Sequence, residues 1–253
     1  MNNSQFNTRR SILYVDGVTV DFDGFKALNG LSFIAVPNTI QAIVGPNGAG
    51  KTTFMDVVTG RTRPTQGRVI FKESIDLSRY DETAIVGLGI ARKFQRPSIF
   101  PEHDVLKNLE LAVFKRKDIL NSFFFRKKNL NNKLLGDVAN KIGLGSVINE
   151  KAGSLSHGQK QWLEIGMLLA QECEVLMLDE PVAGMTDEET KKTSSLLRDI
   201  SKERTLIVIE HDIDFVDSLK CPVTVLNEGS VLAVGSMKEL KKNKSVIDVY
   251  LGR

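Results

Sequence analysis

A glycine-rich segment that ends in a lysine and two threonines carries the clearest chemistry in the sequence. It matches the pattern G-x-x-x-x-G-K-[ST]. Glycines let the backbone curl so that successive N–H groups point at phosphate oxygens. The segment therefore predicts a nucleotide phosphate site, in which Lys51 reaches the β- and γ-phosphates and the Thr52 hydroxyl binds Mg²⁺. Its members are Gly45, Pro46, Asn47, Gly48, Ala49, Gly50, Lys51, Thr52 and Thr53.

Two acidic residues and a histidine follow apolar runs further along the chain. Asp179 and Glu180 come directly after residues 175–178. His211 comes two positions after residues 206–209. If both runs are parallel strands of one sheet, their carboxyl ends lie at the edge that holds the phosphate loop. We then expect Asp179 to bind Mg²⁺, Glu180 to orient or activate the attacking water, and His211 to contact the γ-phosphate. A solvated strand end and a structural histidine are the simpler alternatives.

The apolar pattern predicts the elements that position these residues. Residues 12–35 alternate polar and apolar side chains between glycine turns, which predicts antiparallel strands. Residues 40–59 show a strand, a glycine-rich loop and a helix. Residues 97–170 lack strand signals and predict a helical insert, whereas strands and helices alternate over 175–226, which favours a mainly parallel sheet. The predicted fold class is α/β, with one more helix over residues 238–251.

Composition limits the class of protein. The 253 residues include 34 Lys and Arg and 31 Asp and Glu, and the net charge of +3 is too balanced for a chain held mainly by nucleic acid. Two distant cysteines, Cys173 and Cys221, support neither a disulfide framework nor a zinc site. No apolar run approaches the roughly 18 residues that a membrane span needs, so we expect membrane work to go through a partner.

The segment Leu155-Ser156-His157-Gly158-Gln159 adds a second distinctive pattern. It resembles the LSGGQ signature of ATP-binding cassette (ABC) proteins, although a helix capping box between its serine and glutamine is an alternative. The phosphate loop, Gln95, the signature, the acid pair and the histidine also follow one another in that family's order. The resemblance implies a P-loop NTPase cassette with a RecA-like core, an antiparallel β subdomain and a helical subdomain at about 97–170. It implies one domain over residues 1–253.

The resemblance also implies a mechanism. Two cassettes close head to tail over two ATP molecules, and Mg²⁺-dependent ATP hydrolysis powers transport. Ser156, Gly158 and Gln159 would contact the nucleotide held by the partner cassette, at a helix N-terminus that favours anions. Gln95 would bind Mg²⁺ and link it to the helical subdomain. Phe22 matches the aromatic residue that stacks on adenine, and a phenylalanine of the strand core is its alternative.

Two positions depart from the common family pattern. His157 stands where the signature has glycine, and Thr186 stands where the loop after the acid pair has aspartate. Thr186 and Glu189 also fit a capping box. With these departures, LSHGQKQWLEIGMLLAQ (155–171) and PVAGMTDEET (181–190) resemble the ATPases of urea importers, the UrtD type, within the branched-chain amino-acid importer group.

That resemblance implies a bacterial hetero-assembly. Its members would be a second ABC ATPase subunit, two transmembrane permeases and an external solute-binding protein. The chain would lie at the cytoplasmic face of the inner membrane, attached through the permeases, and would not touch the solute or nucleic acid. A branched-chain amino-acid importer and a soluble ABC ATPase unconnected with transport are the alternatives.

Overall fold

The computed structural model describes residues 11–93, 99–114 and 128–251. The described strands are β1 (Leu13–Phe22), β2 (Phe25–Ala35), β3 (Ile40–Val44), β4 (Gln66–Phe71), β5 (Ile75–Asp76), β6 (Ile90–Lys93), β7 (Val175–Asp179), β8 (Thr205–Ile209), β9 (Val223–Asn227) and β10 (Ser230–Gly235). The described α-helices are α1 (Lys51–Val58), α2 (Glu82–Leu88), α3 (Val105–Phe114), α4 (Lys128–Lys141), α5 (His157–Ala170), α6 (Asp187–Ile200), α7 (Ile213–Leu219), α8 (Met237–Leu240) and α9 (Lys244–Leu251). None of these helices is long and apolar enough to cross a membrane.

The strands form two sheets. The first has the order β2-β1-β4-β5 and is antiparallel. The second has the order β10-β9-β3-β8-β7-β6, and its strands are parallel except for β10, which runs antiparallel to β9. Every residue of β7 and β8 is buried, as expected for central strands covered on both faces. The α/β expectation, with an antiparallel part near the amino end, is confirmed.

The register of the large sheet places the chemistry-bearing residues along one edge. Ile43 near the end of β3 pairs with Ile209 at the end of β8, and Asp179 at the end of β7 pairs with the same Ile209. The phosphate loop, Glu180 and His211 therefore begin from neighbouring strand ends. This is the arrangement that the sequence predicted, and parallel pairing is its cause.

Three helices with a core of their own form the helical part. Leu109 of α3, Leu135 of α4 and Leu163 of α5 lie in one buried cluster. Ile165 of α5 lies in a second cluster, with residues of the central sheet. Helix α5 thus belongs to both cores and links the helical part to the sheet. The helices predicted within residues 97–170 are confirmed where the structure describes that segment.

The structure differs from the expected elements at β6, at β10 and at the C-terminal helix. Strand β6 has no counterpart in the prediction because Arg92 and Lys93 are charged, yet both are buried. Strand β10 extends the sheet, but none of its residues is fully buried and Val234 is exposed, so its apolar signal is weak. The single helix expected over 238–251 is two helices, because the Asn243 side chain accepts the N–H of Ser245 and starts a new helix there.

Candidate functional site

The phosphate loop depends on glycines for conformation and for space. Gly48 and Gly50 have φ of 81° and 98°, in the left-handed region that other residues avoid. A Cβ on Gly45 would lie 2.4 Å from the Leu226 carbonyl oxygen, and one on Gly50 would lie 2.7 Å from that of Ala27. Helix α1 begins directly after Gly50, and no described side chain caps it. Its first N–H groups are therefore suited to bind an anion.

Lys51 lies in the phosphate loop and interacts with the acidic residues at the edge of the sheet. Its Nζ donates to the carbonyls of Gly45 (2.6 Å) and Pro46 (2.9 Å). Burial lowers the pKa of this lysine, while the carboxylates of Glu180 and Asp179 act in the opposite direction. The structure thus brings together the cation and the two acids that the sequence proposed for one site.

Asp179 has the properties of a metal ligand. Its side chain is 3% exposed, and burial raises the pKa of its carboxyl group, against the effect of Arg92. Within the described residues its Oδ2 accepts no hydrogen bond and lies 3.5 Å from the Arg92 guanidinium. Thr52 lies in the first turn of α1 and offers a hydroxyl. A buried carboxylate oxygen with unused accepting capacity and a hydroxyl are hard oxygen donors, which fit Mg²⁺.

Glu180 and His211 form a pair next to this carboxylate. Glu180 has φ of 47°, although it is not a glycine, and its N–H donates to the Ile209 carbonyl. The turn brings its Oε1 to 3.5 Å from Nδ1 of the exposed His211. Sparsely populated backbone conformations of this kind cluster at functional sites. The geometry suits an acid that orients water beside an imidazole that senses charge.

Glu210 is a residue that the sequence analysis missed. Its carboxylate is 1% exposed, and burial raises its pKa. It accepts the N–H of Val182 at 3.3 Å, and those of His211 at 3.1 Å and Asp212 at 3.5 Å. It therefore ties the chain after Glu180 to the chain at His211. An acid at the end of an apolar strand, immediately before the histidine, was the available signal.

The signature residues start helix α5. Ser156 is the N-cap, and a full capping box with Gln159 is present. The Ser156 hydroxyl also lies 3.2 Å from Oε1 of Glu189 at the start of α6. A Cβ on Gly158 would lie 2.3 Å from the same oxygen, so a larger residue there would have to displace the Glu189 carboxylate. These residues thus contact the start of α6 rather than the phosphate loop, and the capping alternative is confirmed as a description of the free chain.

The two departures from the family pattern involve the same loop, residues 183–186. His157 Nε2 lies 3.0 Å from the Ala183 carbonyl oxygen, in the loop that follows the acid pair. Gly184 has φ of 72°, and a Cβ there would lie 3.1 Å from Nε2. Thr186 caps α6 in a capping box with Glu189, as the sequence allowed. The imidazole therefore contacts this loop of its own chain.

Of the two remaining predicted nucleotide-site residues, the structure describes Phe22 but not Gln95. Phe22, at the end of β1, is 51% exposed and pairs across the hairpin with the exposed Phe25. The alternative that it is a core phenylalanine is wrong, and its ring is accessible. Gln95 lies outside the described residues.

Comparison with known proteins identifies the family. The model of the ABC transporter family matches residues 28–183. The chain belongs to the ABC transporter family. It is 32% identical to the high-affinity branched-chain amino acid transport ATP-binding protein LivG of Escherichia coli K12, over 95% of this chain and 98% of LivG. It is also 32% identical to BraF of Pseudomonas aeruginosa, another such protein, over 96% of this chain and 98% of BraF.

Solved structures agree with the fold. A nucleotide-free ATP-binding cassette from an ABC transporter superposes with a TM-score of 0.84 at 28% identity, covering 96% of this chain and all of the other. A cassette in its ADP conformation gives 0.85 at 29% identity, covering 96% and 99%. The protein is thus an ABC ATPase that uses ATP and, as in its family, Mg²⁺. The comparisons support the branched-chain amino-acid importer group and do not single out urea.

Proposed function

We propose that this chain is the ATPase subunit of a bacterial ABC importer for branched-chain amino acids. The observation that carries the proposal is similarity over nearly the whole chain to LivG and BraF, which are ATP-binding proteins of such transport. The chain would work with a second ABC ATPase subunit, two permeases and an external solute-binding protein. It would sit at the cytoplasmic face of the inner membrane without contacting the solute.

Each residue at this edge of the sheet would have a separate role in ATP hydrolysis. Lys51 and the loop N–H groups would bind the phosphates, and Thr52 and Asp179 would hold Mg²⁺, which when bound would supply positive charge to the phosphate oxygens. Glu180 accepts a hydrogen bond from the attacking water and orients it. His211, 3.5 Å from Glu180, contacts the γ-phosphate. The proximity of Lys51 to both carboxylates supports this assignment.

The remaining predicted residues would act on the nucleotide from outside this edge. The exposed ring of Phe22 is available to stack on adenine. Gln95 would complete the Mg²⁺ site. Ser156, Gly158 and Gln159 would meet the nucleotide of the second cassette when the dimer closes. The first turn of α5 has no acidic residue of its own and contacts a carboxylate of α6, which supports a preference of this surface for anions.

Urea is the second candidate solute. It is favoured by the signature segment 155–171 and the loop 181–190, which resemble the urea-importer type and include both His157 and Thr186. The contact between His157 and Ala183 gives these departures a shared structural setting. Because the chain would not contact the solute, this setting marks a subfamily and does not itself select a solute.

Uptake in the native cell distinguishes the candidates. The subunit is deleted and restored either as wild type or as Lys51→Ala, and labelled leucine and labelled urea are offered separately at low concentration. We expect leucine uptake to return with wild type and not with Lys51→Ala. Urea uptake that follows the genotype instead would establish the second candidate. If neither solute responds while the purified chain hydrolyses ATP, the transport proposal is wrong and a soluble ABC ATPase takes its place.

A further inference from the structure

A buried arginine joins two elements that carry the proposed magnesium ligands. The side chain of Arg92 is 6% exposed. One guanidinium nitrogen, Nη1, forms an ion pair with Asp56 of α1, and the other, Nη2, lies 3.5 Å from Oδ2 of Asp179 at the end of β7. A cation so deeply buried is expected only where carboxylates compensate its charge.

The positions of these groups show which elements Arg92 connects. Asp56 follows Thr52 by four residues in α1, so the two lie on the same face of the helix, one turn apart. On β6, Arg92 pairs with Met177 of β7, two residues before Asp179 on the same strand. Three residues after Arg92 the chain reaches Gln95. Thr52 and Asp179, two of the proposed metal ligands, thus belong to elements that Arg92 contacts.

We propose that Arg92 is a positioning residue for the Mg²⁺ site, which sets the spacing between the Thr52 hydroxyl and the Asp179 carboxylate by tying α1 to β7. The inference rests on the proposed roles of these two ligands. Mg²⁺ requires oxygen ligands at nearly fixed octahedral positions, so an error in the spacing of α1 and β7 weakens its binding. Groups that hold the ligands of a metal in place commonly matter nearly as much as the ligands.

The planar guanidinium explains why the residue is an arginine. Its two terminal nitrogens point in fixed directions and engage two carboxylates at once. A lysine at this position would keep the charge but bind only one acid well at a time. Positioning therefore predicts that Arg92→Lys is defective, whereas simple charge compensation predicts that it is nearly normal.

The sign of the effect separates positioning from electrostatics. Arg92 carries a positive charge beside a site for a divalent cation, so its removal relieves like-charge repulsion and by itself tightens Mg²⁺ binding. Loss of positioning acts in the opposite direction and weakens binding. The neutral variant Arg92→Met therefore gives opposite results under the two explanations.

The experiment measures Mg²⁺ affinity apart from turnover. The full chain is titrated with Mg²⁺ in the presence of ADP, and the midpoint of the rise in thermal stability is recorded. The affinity for a fluorescent ATP analogue in EDTA reports nucleotide binding without metal. We expect Arg92→Met and Arg92→Lys each to raise the Mg²⁺ midpoint about tenfold. The EDTA affinity should stay within about twofold, because neither variant changes the phosphate loop.

Asp56→Asn and Arg68→Met complete the set. Asp56→Asn leaves Arg92 beside Asp179 and removes only the charged link to α1, so it should raise the midpoint about threefold even if Arg92→Met fails to fold. Arg68→Met removes an exposed arginine that pairs with Asp16 on the antiparallel sheet, and it should change nothing.

Three results would overturn the inference. They are a lowered midpoint in Arg92→Met with a normal Arg92→Lys, a loss of thermal stability in both with unchanged midpoints, and an unchanged midpoint in Asp56→Asn. Thr52→Ala separates this failure from failure of the proposed function. If Thr52→Ala leaves the midpoint unchanged, the assigned metal site itself is wrong. If Thr52→Ala shifts it while the Arg92 variants do not, only the role of Arg92 is wrong.

Discussion

Replacement of Glu210 by glutamine tests how the free chain aligns Glu180 with His211. One carboxylate oxygen of Glu210 accepts from Val182, and the other accepts from His211 and Asp212. Glutamine has nearly the same volume but only one accepting oxygen, so its NH₂ group must face an N–H donor on one of the two sides. The variant therefore loses the hydrogen bonds of one side whichever way the amide is turned.

The structure sets the size of the effect. A hydrogen bond to a charged group contributes about 1.5–3 kcal/mol, and the loss is partly offset because the neutral amide is easier to bury. We expect the free energy of unfolding to fall by about 1–2 kcal/mol, which lowers Tm by about 2–8 °C in a chain of this size. Misalignment of Glu180 and His211 should lower kcat about 10- to 100-fold, with little change in the KM for ATP.

The pH dependence of stability gives an independent check. Burial raises the pKa of Glu210 in the folded chain, so between the unfolded and the folded pKa the folded state binds more protons than the unfolded state. Over that interval the contribution of Glu210 to the free energy of unfolding falls as the pH rises. This contribution is fully present below the unfolded pKa, and Glu210→Gln lacks it. The variant should therefore lose less stability than the wild type between mildly acidic pH and pH 7.

Steady-state ATPase assays and thermal unfolding measure both effects. Glu239→Gln is the matched control, because Glu239 closes an exposed capping box at the start of α8, and glutamine also serves there. A Glu210→Gln protein with wild-type kcat and Tm would refute the argument that this carboxylate holds the two loops. A fall in kcat that is matched by a rise in KM would show a general disturbance of the nucleotide site.

Three more outcomes are expected. Glu180→Gln should bind ATP normally and turn over at least about a hundredfold more slowly; near-normal turnover in single-turnover assays would remove Glu180 from the mechanism. His157→Gly should lower the ATPase rate of the assembled complex about two- to tenfold, because it removes the hydrogen bond to the Ala183 carbonyl. His157→Gln should restore part of the lost rate. If His157→Gly has the same rate as the wild type, the imidazole is dispensable. Burial raises the pKa of Cys221 to about 11, so iodoacetamide at pH 8 should label it about 100-fold more slowly than in the urea-unfolded chain, as mass spectrometry would measure.

The sequence predicted those elements whose apolar pattern is strong. Strands β7 and β8 are buried throughout and were predicted from continuous apolar runs. Strand β6 was missed because half of its four residues are charged. Arg92 bonds Asp56 and lies near Asp179, while Lys93 Nζ lies 3.4 Å from Glu164 on α5. Partners this distant in sequence cannot be read from a local pattern.

The same reason explains which site residues could be predicted. The phosphate loop and the acid pair follow patterns in which neighbouring residues carry the chemistry. Glu210 and Arg92 act through contacts between elements, and their importance depends on burial that only the fold creates. For Glu210, an acid between a buried strand and His211 was at least a visible signal. For Arg92 the sequence offered a cation shortly before Gln95 and no indication of its partners.

The start of α5 shows that a structural and a functional explanation can both hold for one segment. The capping box uses the Ser156 hydroxyl and the N–H of Gln159, and it fixes where the helix begins. The carboxylate of Glu189 already stands beside Gly158 and bonds Ser156, while hydrogen bonds from Thr186 lower the pKa of that carboxyl group. An anion is thus accommodated at this helix start within the chain itself, as the positive end of a helix favours. A nucleotide phosphate from a second cassette would have to replace the Glu189 carboxylate at this surface, because two anions repel each other, while the capping box would hold Ser156 and Gln159 in place for it.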